Sequence, residues 1–297
     1  MEKILVLMST YNGEKYIQEQ LNSLYAQDGV EVSILVRDDG STDLTKKILE
    51  ENAEKHDISW YQGEHKNVQK SFFDLMQRAE KTDYDFFAFC DQDDVWDSDK
   101  LKIAIENIAH FDKPSLYYSG QRLVDENLNL IEYHRLNSHR TLKTRFVLSD
   151  FAGCTGVFNR ALLDEVVTYE PNYMLMHDTW ILRVCLCLGG EVIVDPEPRI
   201  SYRQHSNNLV GLGRGIKSTV RQVDQYLNEY HIEQLTKELV QGYGDRMVSE
   251  YRELCLWICE YKKNRKYRAR LLNKKNIYFH KWGLDITFWL KIKLRRL

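Results

Sequence analysis

The 297 residues, 43% hydrophobic and 29% charged with a formal net charge of −3, have the balance of a soluble globular protein with room for one large domain or two modest ones. Only 4 prolines and 15 glycines argue against low complexity or a long flexible linker. No run of roughly 18 apolar residues is present to span a bilayer, and residues 4–8 are too short an apolar run for a signal peptide.

Residues 4–8 read as a buried strand, followed over 14–27 by Ile17, Leu21, Leu24 and Tyr25 at helical spacing. Residues 32–36 predict a second strand, and a helix begins after Ser41-Thr42-Asp43 and runs through Ile48-Leu49. Residues 58–61 form a short third strand, and 67–78 a helix with Phe72, Leu75, Met76 and Ala79 on one side. Phe86–Cys90 is the fourth strand and Lys100–Ile108 the next helix. Strict alternation implies an α/β sheet of parallel strands covered on both faces.

After Phe111 the pattern changes. Residues 116–118, 122–124 and 130–133 read as short strands with a turn at Glu126-Asn127. Residues 142–151, 160–167 and 177–188 read as helices, and 192–194 and 200–203 as strands. From about Ile216 the chain is mostly helical, which divides it into 1–215, with halves 1–110 and 111–215, and an extension 216–297. The six cysteines lack Cys-x-x-Cys spacing and sit in apolar surroundings, which suits reduced thiols in a cytoplasmic protein.

Ligands of parallel sheets bind beyond the carboxyl ends of the strands. There the chain places Ser9-Thr10-Tyr11-Asn12-Gly13, Asp38-Asp39-Gly40-Ser41-Thr42-Asp43 and Asp91-Gln92-Asp93-Asp94. Crowded carboxylates raise one another's pKa unless a cation neutralises them, and a hard divalent ion with oxygen ligands is the simplest neutraliser. Asp91 and Asp93, at alternate positions, can address one site, although a solvated acidic loop is the plain alternative. Asp38 and Asp39 suit the imide N–H of uracil or thymine, while Gly40 through Asp43 also read as a turn and helix cap.

Asp178 opens a helix. It is either a first-turn acid favoured by the helix dipole or a general base whose pKa partial burial raises. His205 is either structural or a metal or phosphate contact, and Arg203 and Arg214 suit a diphosphate. Gly211, Gly213 and Gly215 match no phosphate loop, because no Gly-Lys-Ser/Thr follows them.

As a set, Ser9 through Glu14, Asp38 through Asp43, Asn67, Asp91 through Asp94 with Trp96 and Lys100, Gly153-Cys154-Thr155-Gly156, His177-Asp178 and Arg203-Gln204-His205 resemble a family 2 glycosyltransferase of the GT-A fold, over about residues 3–213. Cys90-Asp91-Gln92-Asp93-Asp94-Val95-Trp96 with Tyr202-Arg203-Gln204-His205 is most similar to bacterial rhamnosyltransferase-type enzymes of cell-wall or capsular polysaccharide synthesis. The resemblance implies a Rossmann-like nucleotide-diphospho-sugar transferase fold and an inverting transfer from a UDP- or dTDP-linked sugar to a polysaccharide or lipid-linked saccharide acceptor. It implies donor contacts from Thr10, Tyr11, Asn12, Glu14, Asp38, Asp39, Asn67, Lys70, Asp91, Gln92 and Arg203. Asp91, Asp93 and His205 would hold Mg²⁺ or Mn²⁺. Trp96, Gly153, Cys154, Thr155, Gly156 and His177 would lie on the sugar and acceptor side, with Asp178 as the base. His177 stands where the family usually has an acidic partner. The Gln-x-x-Arg-Trp motif of processive synthases is absent, which argues for a single transfer per encounter.

Two other functions share parts of this pattern. A metal-dependent nucleotidyltransferase would add a basic glycine-rich N-terminal loop, whereas no Lys or Arg precedes Lys15 in the first loop. A non-catalytic sugar-nucleotide-binding module would not need Asp178.

Residues 262–297 carry 13 Lys/Arg against one acid, Asp285, a balance of +12 beside −15 for the remainder. Trp282, Ile286, Trp289, Leu290, Leu294 and Leu297 share a helical face, although strand alternation also fits the segment. The expectation is a helix on the anionic inner face of the plasma membrane, with packing on the body or a homodimer as alternatives. Nucleic acid is disfavoured because the acidic body would repel a polyanion.

Overall fold

The computed structural model describes residues 1–205 and 231–297. Arg214, the three loop glycines, the division at 215/216 and the onset of the helical region lie outside the described residues.

The first strand, β1 (Glu2–Thr10), feeds two cores. Ile4, Val6 and Met8 enter one buried cluster and Leu5 and Leu7 the other, as alternate side chains of a strand must. Burial on both faces explains the unbroken apolar run. After α1 (Ile17–Tyr25) come β2 (Val30–Asp38), α2 (Thr45–Ala53), β3 (Ile58–Gln62), α3 (Val68–Ala79) and β4 (Phe86–Cys90). Strands β1 to β4 pair in parallel in the order β3-β2-β1-β4. The Asn67 side chain caps α3 by accepting from the Lys70 N–H at 3.1 Å, and Phe72, Leu75, Met76 and Ala79 are fully buried, each large side chain contributing roughly 2 kcal/mol.

Beyond β4 the sheet becomes mixed. The elements are β5 (Val95–Trp96), α4 (Lys100–Ile108), β6 (Ser115–Val124), β7 (Leu130–His134), α5 (Leu142–Val147), β8 (Val157–Asn159), α6 (Arg160–Val167), α7 (His177–Cys187) and β9 (Glu191–Arg203). Strand β8 lies antiparallel between β4 and β6, β9 runs parallel to β6, and β5 pairs antiparallel with β9. Asn159 locks this junction, its Oδ1 accepting from the N–H groups of Ser115 at 2.9 Å and Leu162 at 3.1 Å.

Three expectations change. Residues 116–118 and 122–124 are one strand, and so are 192–194 and 200–203. The pairing of β6 with β9 shifts register around Gly120, where an added Cβ would meet the Pro196 carbonyl at 2.7 Å. Pro196 and Pro198 therefore sit in an irregular stretch of a continuous strand, not in a gap between two. The helix expected over 142–151 ends at Val147, and the backbone of Leu148 is extended. Asp150 beyond it accepts from Arg145 Nε at 3.0 Å and pairs with Arg140 at 3.2 Å.

Helices α8 (Ile232–Tyr243), α9 (Ser249–Glu260), α10 (Arg265–Leu272) and α11 (Trp282–Lys293) complete the described chain. Leu235, Leu239, Trp257, Ile258, Phe288 and Ile292 join the buried cluster that also holds Leu5, Leu7 and Phe87. The C-terminal segment is thus helical, and its inner side packs on the body. No helix among the described residues is long and apolar enough to cross a membrane.

Candidate active site

The loops after β1, β2 and β4 meet at the carboxyl end of the sheet and are laced together. Asn12, at φ 49, donates its N–H to Ser41 Oγ at 2.9 Å and accepts from the Thr42 N–H at 2.9 Å. Glu14 accepts from the Leu44 N–H at 2.8 Å and donates its own N–H to Asp43 at 3.0 Å. Gln92 Oε1 accepts from Thr10 Oγ1 at 2.6 Å and from the Tyr11 N–H at 3.0 Å. A Cβ at Gly13 would stand 2.3 Å from that oxygen, so any side chain there would displace the Gln92 amide from these bonds. Thr10, Asn12, Glu14 and Gln92 therefore hold the loops to one another.

Asp38 and Asp39 separate. Asp38 is fully buried and accepts from the N–H groups of Gly40 at 3.1 Å and Ser41 at 2.9 Å and from Ser41 Oγ at 2.5 Å, so its carboxylate shapes the turn. Asp39 forms an ion pair with buried Arg37 and accepts from Ser71 Oγ at 2.5 Å. Arg37 also donates to Asp74 at 3.1 Å and to the Glu64 carbonyl at 2.9 Å. Beside this group opens a cleft of about 470 Å³ lined by Tyr11, Asp39, Gly40, Gln62, Gly63, Glu64 and His65. The Tyr11 and His65 rings stand 4.5 Å apart at its mouth. Asn67 and Lys70 are exposed at the start of α3.

The acidic loop faces inward. Burial, with Asp93 and Asp178 facing it, pushes the Asp91 carboxyl up to about 7. Asp93 Oδ2 lies 2.7 Å from Nε2 of His205, whose ring stacks on Tyr16 at 5.2 Å. Asp94 is fully buried and accepts from the Arg203 N–H at 3.1 Å. Arg203, also buried, ties the site's floor together through the Asp93 carbonyl at 2.8 Å, the Glu126 carbonyl at 2.5 Å and Glu19 at 2.5 Å. Trp96 is only 4% exposed and carries the Lys100 amine 3.2 Å above its ring, so it belongs to the core. Burial pushes Lys100 down to about 7.

Two donor sets in this loop bear on a divalent cation. Asp91, Asp94 and Cys154 bring ligand atoms within 4.8 Å of one another. Burial raises the Cys154 thiol well above its usual range, so it stays protonated against Asp94, a poor partner for a hard cation. The Asp93 carboxylate with the His205 imidazole, beside Asp91, offers oxygen and nitrogen donors that fit Mn²⁺, and carboxylates that fit Mg²⁺.

Asp178 sits in the first turn of α7, 7% exposed, accepting from the backbone N–H of Gly153 at 3.0 Å and of Thr179. Burial pushes its carboxyl up to about 6 against the pull of those donors. Its neighbour His177 lies flat on Phe72, ring centroids 3.9 Å apart, and edge-on to Phe89 at 4.6 Å. Neither of its ring nitrogens has a hydrogen-bond partner, and burial depresses its pKa to about 3. Thr155 donates to the Ala152 carbonyl at 2.7 Å, and a Cβ at Gly156 would press on Phe151 at 2.5 Å, so residues 153–156 form a tight turn under Asp178.

Sequence reasoning missed Arg37, Ser71 and Asp74, and the cleft wall at Gln62 through His65. A lone arginine closing a strand was the available signal for the first.

The glycosyl transferase family 2 model matches residues 5–167. A dTDP-rhamnosyl transferase, RfbG of Shigella flexneri, is 30% identical over 252 residues, 77% of this chain and 82% of its own. The fold is similar to that of Staphylococcus aureus TarS 1-349 in complex with UDP-GlcNAc, with a TM-score of 0.59 and 19% identity over 99% of this chain and 91% of that one. A mannosyltransferase of Pyrobaculum calidifontis, in complex with GDP-Man and Mn²⁺, gives 0.57 at 14% identity, covering 99% and 86%. The fold is therefore the GT-A arrangement with a helical C-terminal extension, and the chain belongs to glycosyl transferase family 2.

Proposed function

We propose that this glycosyltransferase moves one sugar, with rhamnose the first candidate, from a dTDP- or UDP-linked donor to a saccharide hydroxyl, inverting the anomeric carbon. The observation that carries the reading is Asp178, buried in the first turn of α7 and near enough to Asp91 at the end of β4 for its charge to raise that carboxyl's pKa. A buried carboxyl poised at about 6 faces an acidic strand end, the arrangement for a base opposite a diphosphate. Residues 1–110 would bind the nucleotide, with the base in the cleft beside Asp39 that Tyr11 and His65 help to line. Residues 111–215 would hold the acceptor, a polysaccharide or lipid-linked saccharide of cell-wall or capsule synthesis.

In the transfer, Asp178 accepts the proton of the acceptor hydroxyl as its oxygen attacks the anomeric carbon. The bond to the diphosphate breaks on the opposite face, and the diphosphate departs with the electron pair. Asp91 and Asp93, with His205, are the residues that would hold Mg²⁺ or Mn²⁺. When bound, the cation supplies Lewis-acid neutralisation of the leaving charge. The RfbG relative supports the choice of dTDP-rhamnose, and a cytoplasmic location suits the buried thiols.

The test is release of free nucleoside diphosphate from dTDP-rhamnose by the purified chain with Mn²⁺. Slow release without acceptor, faster than from UDP-GlcNAc, is expected. No release from any nucleotide sugar, with or without a saccharide acceptor, would reject the reading.

A further inference from the structure

Helix α11 is apolar on two sides, and the described residues cover only one. Phe288 and Ile292 point into the main core with Ile277, Phe279 and Leu297. Asp285 fixes the entry by accepting from the N–H groups of Phe279 at 2.8 Å and Lys281 at 3.1 Å. The other side presents Trp282, Ile286, Trp289, Leu290 and Leu294, exposed by 82, 39, 48, 43 and 63%. Their spacing places all five on one arc of the helix. An exposed apolar stripe on an otherwise well-packed helix marks an interaction surface.

Charge selects the occupant. Exposed Lys293 rises within the stripe, its amine 5.2 Å over the Trp289 ring, exposed Lys281, Arg295 and Arg296 lie at its ends, and Lys274 and Lys275 lie exposed just before it. The single acid of the segment, Asp285, is tied to the backbone. A two-fold contact between copies would set this basic margin against itself. A nucleic acid would use the basic residues but leave the aliphatic side chains in water. An anionic bilayer uses every part: aliphatic side chains at the acyl boundary, tryptophans at the interface and Lys/Arg on the headgroups.

We propose that this face of α11 seats the enzyme on an anionic membrane surface. Such seating is independent of the transfer reaction and of the identity of donor or metal. The helix lies on the membrane, its inner side fixed to the protein.

The test is co-sedimentation of the full chain with vesicles of phosphatidylcholine alone or mixed with phosphatidylglycerol. Binding to the mixed vesicles, released by salt and accompanied by a blue shift of tryptophan emission, is expected. Ile286→Glu with Leu290→Glu should weaken it on the order of tenfold or more, and Arg295→Glu with Arg296→Glu on the order of tenfold. Should the first pair misfold by circular dichroism, Trp289→Ser replaces it. Donor hydrolysis without vesicles should stay at the wild-type rate in every variant, which separates this test from that of the reaction. Failure to bind mixed vesicles at low salt, equal binding to phosphatidylcholine, or unchanged binding by the variants overturns the proposal. So does a dimer that the first pair converts to a monomer while vesicles are ignored.

Discussion

The backbone N–H of Gly153 donates to Oδ2 of Asp178 at 3.0 Å, while a Cβ at the same glycine would stand 2.6 Å from Nε2 of His177. One position thus holds the proposed base and leaves no room for a side chain. Gly153→Ala must push the His177 ring against Phe72 and Phe89, at a cost of about 1–3 kcal/mol, and tilt the first turn of α7. Urea denaturation and donor turnover should both fall. A variant that matches wild type in both would contradict the described packing.

Asp178→Asn keeps the shape of the carboxylate and removes its basicity. Transfer should drop roughly 10²- to 10⁴-fold while donor affinity stays close to wild type. Steady-state rates paired with equilibrium dialysis of the nucleotide sugar check this. A variant retaining most of its turnover excludes Asp178 as the base.

The two adjacent residues of α7 predict opposite pH effects. The Asp178 carboxyl, lifted from 3.8 to about 6, acts as a base only when ionised, so kcat/KM should rise with pH through about 6 and then level. Its stabilising contribution is complete below 3.8 and is lost as pH rises through about 6. His177, depressed from 6.5 to about 3, resists protonation when folded. Its contribution is present above 6.5 and is lost as pH falls toward 3, by up to ~1.4 kcal/mol per pH unit. Because its ring nitrogens make no hydrogen bond, His177→Leu should remove that acid sensitivity without destabilising the protein at neutral pH. Melting temperatures across pH for the two proteins test it. Parallel curves would sink the idea.

Arg37 holds Asp39, Asp74 and Ser71 together beneath the cleft. Arg37→Met strands the Asp39 carboxylate, which is 5% exposed, and should cost ~3–5 kcal/mol. Asp39→Asn in the same chain should restore part of that loss. Denaturation midpoints decide, and a single variant as stable as wild type contradicts the network.

Much of this was legible in the residues. Parallel strands buried on both faces leave unbroken apolar runs, and Phe86–Cys90 and Lys100–Ile108 lie where periodicity puts them. Strands of two or three residues such as Val95–Trp96 and Val157–Asn159 carry no period, so these two stayed hidden, and with them the antiparallel joins that make the sheet mixed. In the site, the convergence of three loops followed from topology, but the duty of each side chain did not. Asp38 and Asp39 are equivalent in sequence, and only the turn at Gly40 decides that one caps backbone while the other meets Arg37. Trp96 beside four aspartates resembles a sugar platform, yet Lys100 covers its ring in the core. Arg203 looked free for a phosphate, whereas its partners Glu19 and Glu126 are far away in sequence.

The most direct measurement is titration calorimetry of dTDP-rhamnose into the full chain, with Mn²⁺ and then with a chelator. Saturable uptake that depends on Mn²⁺ and is lost in Asp93→Asn is the predicted result. Absence of cation-dependent uptake for this and every other nucleotide sugar would contradict the central claim.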